Sequence, residues 1–196
     1  MIKTKEELKF YIQEDAKANE IKPGASYMVK LLYGNVHACV YRYLKTLRKY
    51  EYYNNTGSIL RFWFRFYNRR LGLKYNLAIP INVVGYGLYL PHLEGGVIIN
   101  CQSIGNYCKV NSGVVVGSKY DNTQIATIGD NVELAVGCKV IGKIKIGNNV
   151  TVAPNAVVVK DVPDNAIVGG VPAKIIKMKE KCYRNVMFIN RKTKRT

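Results

Sequence analysis

Histidine is scarce in this chain, two residues in 196, and tryptophan occurs once. The five cysteines are odd in number and form no Cys-x-x-Cys pair. Neither a disulfide framework nor a thiolate zinc site is therefore expected, and no metal is assigned. No apolar run approaches the roughly 20 residues that cross a bilayer. The first residues, Met-Ile-Lys-Thr-Lys-Glu-Glu, lack the apolar h-region of a secretory leader. Together these absences predict a cytoplasmic protein with reduced thiols.

Acidic residues are also few, 13 Asp and Glu against 30 Lys and Arg, for a net charge of +17. The excess is uneven: +9 over residues 1–75, +1 over 76–175 and +7 over 176–196. A nearly neutral middle thus lies between two basic segments, which attract polyanions such as phosphorylated ligands or anionic lipid. No reader motif accompanies the charge, so nucleic acid is not an expected partner. No Walker loop, dinucleotide fingerprint or metal-ligand cluster is present either.

What is abundant is a period of six. Ile98, Ile104, Val110, Val116, Ile128, Leu134, Val140, Ile146, Val152 and Val158 share one register, broken only at Asn122. Gly or Ala often follows, at Gly105, Gly117, Gly129, Ala135, Gly147 and Ala153. Four residues after the register position a small or β-branched side chain recurs: Val132, Cys138, Ile144, Val150, Ala156 and Val162. Neither a helix nor an alternating strand has this period. A solenoid does: each hexad makes one short strand and one turn, and three hexads close a triangular coil. Equivalent positions then stack about 18 residues apart into a continuous Val and Ile core. The turn glycines are expected to supply backbone conformations that other residues resist. The polar hexad beginning at Asn122, with Ser118–Gln124 around it, predicts a loop leaving the coil.

Residues 1–75 read as a basic, aromatic helical region, with helices expected over Lys5–Tyr11, Ala25–Tyr53 and Ser58–Arg70. Stretches such as Arg61-Phe-Trp-Phe-Arg-Phe-Tyr suit packing on the solenoid or a neighbouring subunit. They also suit peripheral contact with the inner membrane face. Residues 76–175 form the solenoid domain, and 176–196 a basic tail. His37 reads as a packing residue, and Cys108 and Cys138 as core thiols.

The hexads, followed by Ile167-Val-Gly-Gly-Val-Pro-Ala-Lys-Ile-Ile, resemble the hexapeptide-repeat acyltransferases over about residues 77–177. Within that family the chain looks like the serine acetyltransferase-like branch, especially short members linked to surface-polysaccharide acetylation. The resemblance implies a mainly β fold, a left-handed parallel β-helix with an α-helical N-terminal segment. It further implies a homotrimer with active sites between subunits, and acetyl-CoA as donor. Leu-Pro-His-Leu-Glu-Gly-Gly-Val-Ile-Ile-Asn, residues 90–100, matches the segment that carries the family's catalytic histidine. His92 would then be the general base for the acceptor hydroxyl, a task imidazole side chains suit because they can accept and release a proton near neutral pH.

Other roles follow from the same resemblance. The backbone at Gly117 and Ser118 would stabilise the oxyanion. Ser118, Ala135, Val136, Ala153, Pro154 and Pro172 would line the cofactor groove, and Lys160 and Lys174 would meet the nucleotide phosphates. The departures bear on the acceptor. Pro91 replaces an aspartate that helps hold serine's ammonium, and Gln124-Ile125 stands near the family's arginine–histidine pair. Leu77 aligns with the aspartate that orients the base, leaving Asn76, Glu94 or Asn100 for that role. Tyr120 and Asp121 are candidates to touch acceptor or cofactor. A pocket without those charges favours a sugar hydroxyl in surface-polysaccharide synthesis over L-serine. Serine O-acetylation toward cysteine is the alternative, and a non-catalytic scaffold binding membrane or polyanions is a third reading.

Overall fold

The computed structural model describes residues 1–119 and 125–180. Four helices precede the repeats: α1 (Lys5–Ala18), α2 (Ala25–Leu32), α3 (Val36–Asn55) and α4 (Leu60–Tyr75). α1 starts with a capping box, Thr4 accepting from the Glu7 N–H while Glu7 reaches back to the Thr4 N–H. The single helix expected over 25–53 is two. Gly34 takes φ +68°, which ends α2, and the Asn35 side chain accepts from Ala38 N–H to begin α3. α4 runs past its expected end at Gly72, where a Cβ would lie 2.6 Å from the Leu77 carbonyl oxygen. That glycine therefore permits close packing instead of breaking the helix, and Asn76 ends α4 at φ +55°.

From Leu77 the chain visits three parallel sheets in rotation. The first holds β1 (Leu77–Ala78), β2 (Val97–Ile99), β5 (Val114–Gly117), β8 (Lys139–Ile141) and β11 (Val157–Val158). The second holds β3 (Ser103–Ile104), β6 (Thr127–Ile128) and β9 (Lys145–Ile146). The third holds β4 (Lys109–Val110), β7 (Glu133–Leu134), β10 (Thr151–Val152) and β12 (Ala166–Gly170). A last strand, β13 (Ala173–Met178), turns back antiparallel on β12, so residues 176–178 belong to a hairpin. Residues 181–196, including Cys182, lie outside the described residues.

The registers explain the broken hexad. Thr127 pairs with Lys145 and Glu133 with Thr151, both 18 residues on. Lys109, however, pairs with Glu133 and Val115 with Lys139, 24 residues on. The coil between β5 and β6 thus carries one hexad more than the pairing uses. Residues 122–124 of that hexad, with Tyr120 and Asp121, lie outside the described residues.

The register positions from Ile104 to Val158 are buried, as are Val132, Cys138, Ile144, Val150, Ala156 and Val162. Ile98 departs from the expectation. It is half exposed, and Val97 and Ile99 face the core instead. Val97 pairs with Val114 at an offset of 17, one residue short, so the side-chain alternation flips there.

The expected role of the glycines also changes. Gly105, Gly129 and Gly147 have ordinary φ; a Cβ on Gly147 would fall 2.6 Å from the Asp164 nitrogen of the next coil. They permit coil-on-coil contact. Left-handed corners are taken by Gly113, Gly137 and Gly142, at φ +71° to +98°, and by Asn131, Asn149, Asn155 and Asn165, at φ +54° to +62°. Beside them runs a ladder in which Asp130, Asn148 and Asp164 side-chain oxygens accept from the backbone N–H of Asn106, Asp130 and Asn148.

A buried polar knot joins the helices to the first coil. Arg48 of α3 is fully buried and bonds Asp15 of α1 (2.8 Å), Glu51 (3.1 Å) and the carbonyls of Val84 and Gly85. Asp15 in turn accepts from the N–H groups of Gly87 and Leu88. Asn19 bridges the Leu88 carbonyl and the Leu90 N–H. Burial works against the Arg48 charge, but Asp15 and Glu51 outweigh it and hold its pKa above the usual arginine value.

Candidate functional site

His92 sits where the chain turns from the third face to the first, between the Tyr89 bridge to Lys109 and β2. The same corner in successive coils is formed by Ser112 and Gly113, then Ala135, Val136 and Gly137, then Ala153, Pro154 and Asn155. Backbone bonds tie the corners together: Gly113 N–H to Gly96 O (2.6 Å), Gly137 N–H to Ser112 O (2.9 Å) and Asn155 N–H to Val136 O (2.9 Å). His92 therefore stands at one end of a column whose other members include Ala135, Val136, Ala153 and Pro154. Gly169 packs beside Ala153 and pairs with Lys174 across the β12–β13 hairpin, which brings Pro172 and Lys174 to the far end.

The column is lined by small side chains. A Cβ added at Gly113 would meet only the Gly137 backbone, at 3.4 Å. Lys174 is exposed at the end of this corner column.

The remaining candidates lie elsewhere. Gly117, Ser118 and Lys160 follow β5 and β11, at the opposite edge of the first sheet. Asn100, whose N–H donates to Val116 O (2.8 Å), is also on that edge. The four residues of β5 separate the two edges by about 13 Å, at about 3.3 Å per residue. One chain does not bring His92 and the Gly117–Ser118 turn to one point. Nor does it bring Lys160 and Lys174 together.

The His92 ring is open, its side chain 60% exposed, with Nδ1 3.9 Å from Oε2 of an equally open Glu94. That separation exceeds a hydrogen bond. Glu94 Oε2 instead accepts from the Leu93 N–H at 3.2 Å. Asn76 is tied through its carbonyl to Val97 N–H (2.9 Å) and faces a cleft of about 760 Å³. The cleft lies between α4 and the first coils, bounded by Asn68, Arg69 and Leu73 on one side and Gly95, Gly96 and Ile98 on the other. The buried Asn68 Nδ2 has no hydrogen-bond partner. Asn68 and Arg69 fall outside the hexads; Asn68 is a polar residue on the buried face of α4, whereas Arg69 is exposed and carried no such signal.

His37 behaves as a packing residue, its ring stacked on Tyr89 at 6.5 Å. Cys101, Cys108 and Cys138 are buried, and burial pushes their thiols up to about 12. Among the described residues no group of three metal-binding side chains gathers.

With this geometry in view, comparison with known proteins is informative. Residues 125–160 match the family model "Bacterial transferase hexapeptide (six repeats)". Over those residues the chain is similar to the bacterial transferase hexapeptide repeats. Across 95 residues the chain is 36% identical to a serine acetyltransferase of Synechococcus elongatus, covering 47% of this chain and 39% of that one. It is 37% identical over 99 residues to the Mycobacterium tuberculosis serine acetyltransferase, covering 50% and 43%. The chain thus spans about two-fifths of the length of these relatives. Among solved structures, the Neisseria gonorrhoeae serine acetyltransferase aligns with a TM-score of 0.66 at 26% identity, covering 90% of this chain and 67% of that one. Its complex with serine aligns at 0.62 and 25% identity, covering 88% and 70%.

These matches correct the expected acceptor. A sugar of surface-polysaccharide synthesis was inferred from the charges missing around Pro91 and Gln124, yet the relatives matched are serine acetyltransferases. Counting charge only within the hexapeptide array left out Arg69, which α4 carries to the same corner as Gly95 and Gly96.

Proposed function

We propose that the chain is an acetyl-CoA-dependent serine O-acetyltransferase whose base is His92. The observation that carries this reading is the placement of an open imidazole at the end of a small-residue corner column, beside a cleft with Arg69 and Asn68 on its wall. Acetyl-CoA supplies the acetyl group as a thioester. His92 takes the proton from the acceptor hydroxyl as its oxygen bonds to the acetyl carbon. It returns that proton to the sulfur once the carbon–sulfur bond has broken. Nε2 is the nitrogen for this task, because Nδ1 is turned toward Glu94. Arg69 meets the acceptor carboxylate across the cleft, a pairing that guanidinium geometry favours.

The proposal includes a left-handed wind for the solenoid and a homotrimer. The two edges of the first sheet explain why assembly matters. The corner column of one subunit and the Gly117–Ser118 edge of its neighbour would together supply base and oxyanion donor.

Release of free thiol from acetyl-CoA in the presence of L-serine measures the reaction. His92→Ala is expected to lower kcat by about 10²–10⁴-fold, the usual worth of a general base. Unchanged turnover in that variant would remove His92 from the role, and absence of serine-dependent thiol release in the native protein would sink the reading itself.

A further inference from the structure

α4 is apolar on two opposite faces. One buries Asn68, Leu71, Gly72 and Tyr75 against α3 and the first coils. The other presents Ile59 and Phe62, then Trp63, Phe66 and Leu73, at three- and four-residue steps or their multiples. These outward residues are between 56% and 81% exposed. A contiguous stripe of large apolar side chains this exposed marks an interaction surface.

Charge decides which partner. Residues 52–93 contain no Asp or Glu, while α4 alone contributes Arg61, Arg65, Arg69, Arg70 and Lys74. Arg61 lies over the Phe62 ring at 4.8 Å and Arg70 over Phe66 at 5.8 Å, so the cations surround the apolar stripe itself. Two copies meeting face to face would bring ten cations together with no acid between them. An anionic lipid surface instead accepts the rings at headgroup depth and the guanidinium groups among its phosphates.

We propose that the outward face of α4 docks this protein peripherally on anionic bilayers. Among the described residues no helix is long and apolar enough to cross a membrane, so the contact is with the surface. The proposal does not depend on the acetyl transfer reaction.

Trp63 is the single tryptophan of the chain and lies in the middle of the stripe, so its emission reports on this face alone. The full chain is titrated with vesicles of phosphatidylcholine containing about 30% phosphatidylserine, and with pure phosphatidylcholine. The expected result is a blue shift that saturates with the anionic vesicles, at least about tenfold tighter than with the neutral ones, and that strong salt reverses. The double variant Arg65→Glu, Arg70→Glu keeps the aromatics and should lose the shift while its circular dichroism stays native. Three outcomes would overturn the proposal. One is absence of a shift. The second is equal binding to both vesicle types or undiminished binding by the charge-reversed variant. The third is a Trp63 already shielded from acrylamide without lipid, in a manner that depends on protein concentration, which would assign the face to a second copy.

Discussion

Arg48 has no water to solvate it, so its charge depends on Asp15, Glu51 and two carbonyls. The same Asp15 carboxylate orders the backbone at Gly87 and Leu88. Replacing Arg48 with Ala leaves two buried carboxylates unpaired and is expected to cost about 3–5 kcal/mol, read as a lowered urea midpoint. Tripling the change, Arg48→Met with Asp15→Asn and Glu51→Gln, should recover part of that loss, because no bare charge then stays buried. If Arg48→Ala unfolds at the native midpoint, the knot does not hold the helices to the coil. Nothing in the sequence distinguished Arg48 from its basic neighbours Arg42, Lys45 and Lys49. Only packing removed it from solvent, while His92, one of the two histidines, stayed open.

At the scale of the elements, short strands of two to five residues are held by stacking. The hexad spacing was legible because every coil repeats the same inward side chain, and the core from Ile104 to Val158 follows it. Ile98 was misread because the first coils are irregular: a 17-residue step there inverts which residues face in. Gly113 and Gly137 take left-handed turns, as expected of turn glycines, whereas Gly105, Gly129 and Gly147 permit coil-on-coil contact instead. Gly147→Ala should lower stability by about 1–3 kcal/mol through overlap with the Asp164 backbone. Gly117→Ala should lie within about 0.5 kcal/mol of native, since its Cβ would meet only the Ile141 side chain at 3.9 Å. Parallel thermal melts measure both, and equal effects would contradict the stacking account. The continuation of α4 past Gly72 could not be foreseen, as it depends on where Leu77 returns.

For the whole molecule, three of the four buried thiols among the described residues predict an alkaline limit. Cys101, Cys108 and Cys138 ionise near 9 once the chain unfolds, whereas burial raises them to about 12 in the folded state. The unfolded chain therefore loses these protons first. Their contribution to stability is complete below pH 9 and falls as pH rises toward 12. Melting temperature should decline across that window, and Cys138→Ser should not restore it alone while the other two remain. A flat profile from pH 9 to 11 would show that the thiols are not held in the core. The same molecule separates His92 from Gly117 and Ser118 across one sheet, which is why the proposed reaction is assigned to an assembly of subunits.

The period of six by itself determined a three-sided solenoid and its inward side chains from Ile104 to Val158, because repeats place the same residue in the same surroundings each time; the surplus hexad showed only in the strand registers. Non-repeating relations were decided only by tertiary structure: the Arg48 knot, the cleft between α4 and Gly95–Gly96, and the edge on which each candidate lies. Those depend on contacts between residues far apart in the chain, whose energies no local spacing encodes. Arg69 followed the same division: no hexad includes it, and only the fold sets it on the wall of the cleft that Gly95 and Gly96 also line.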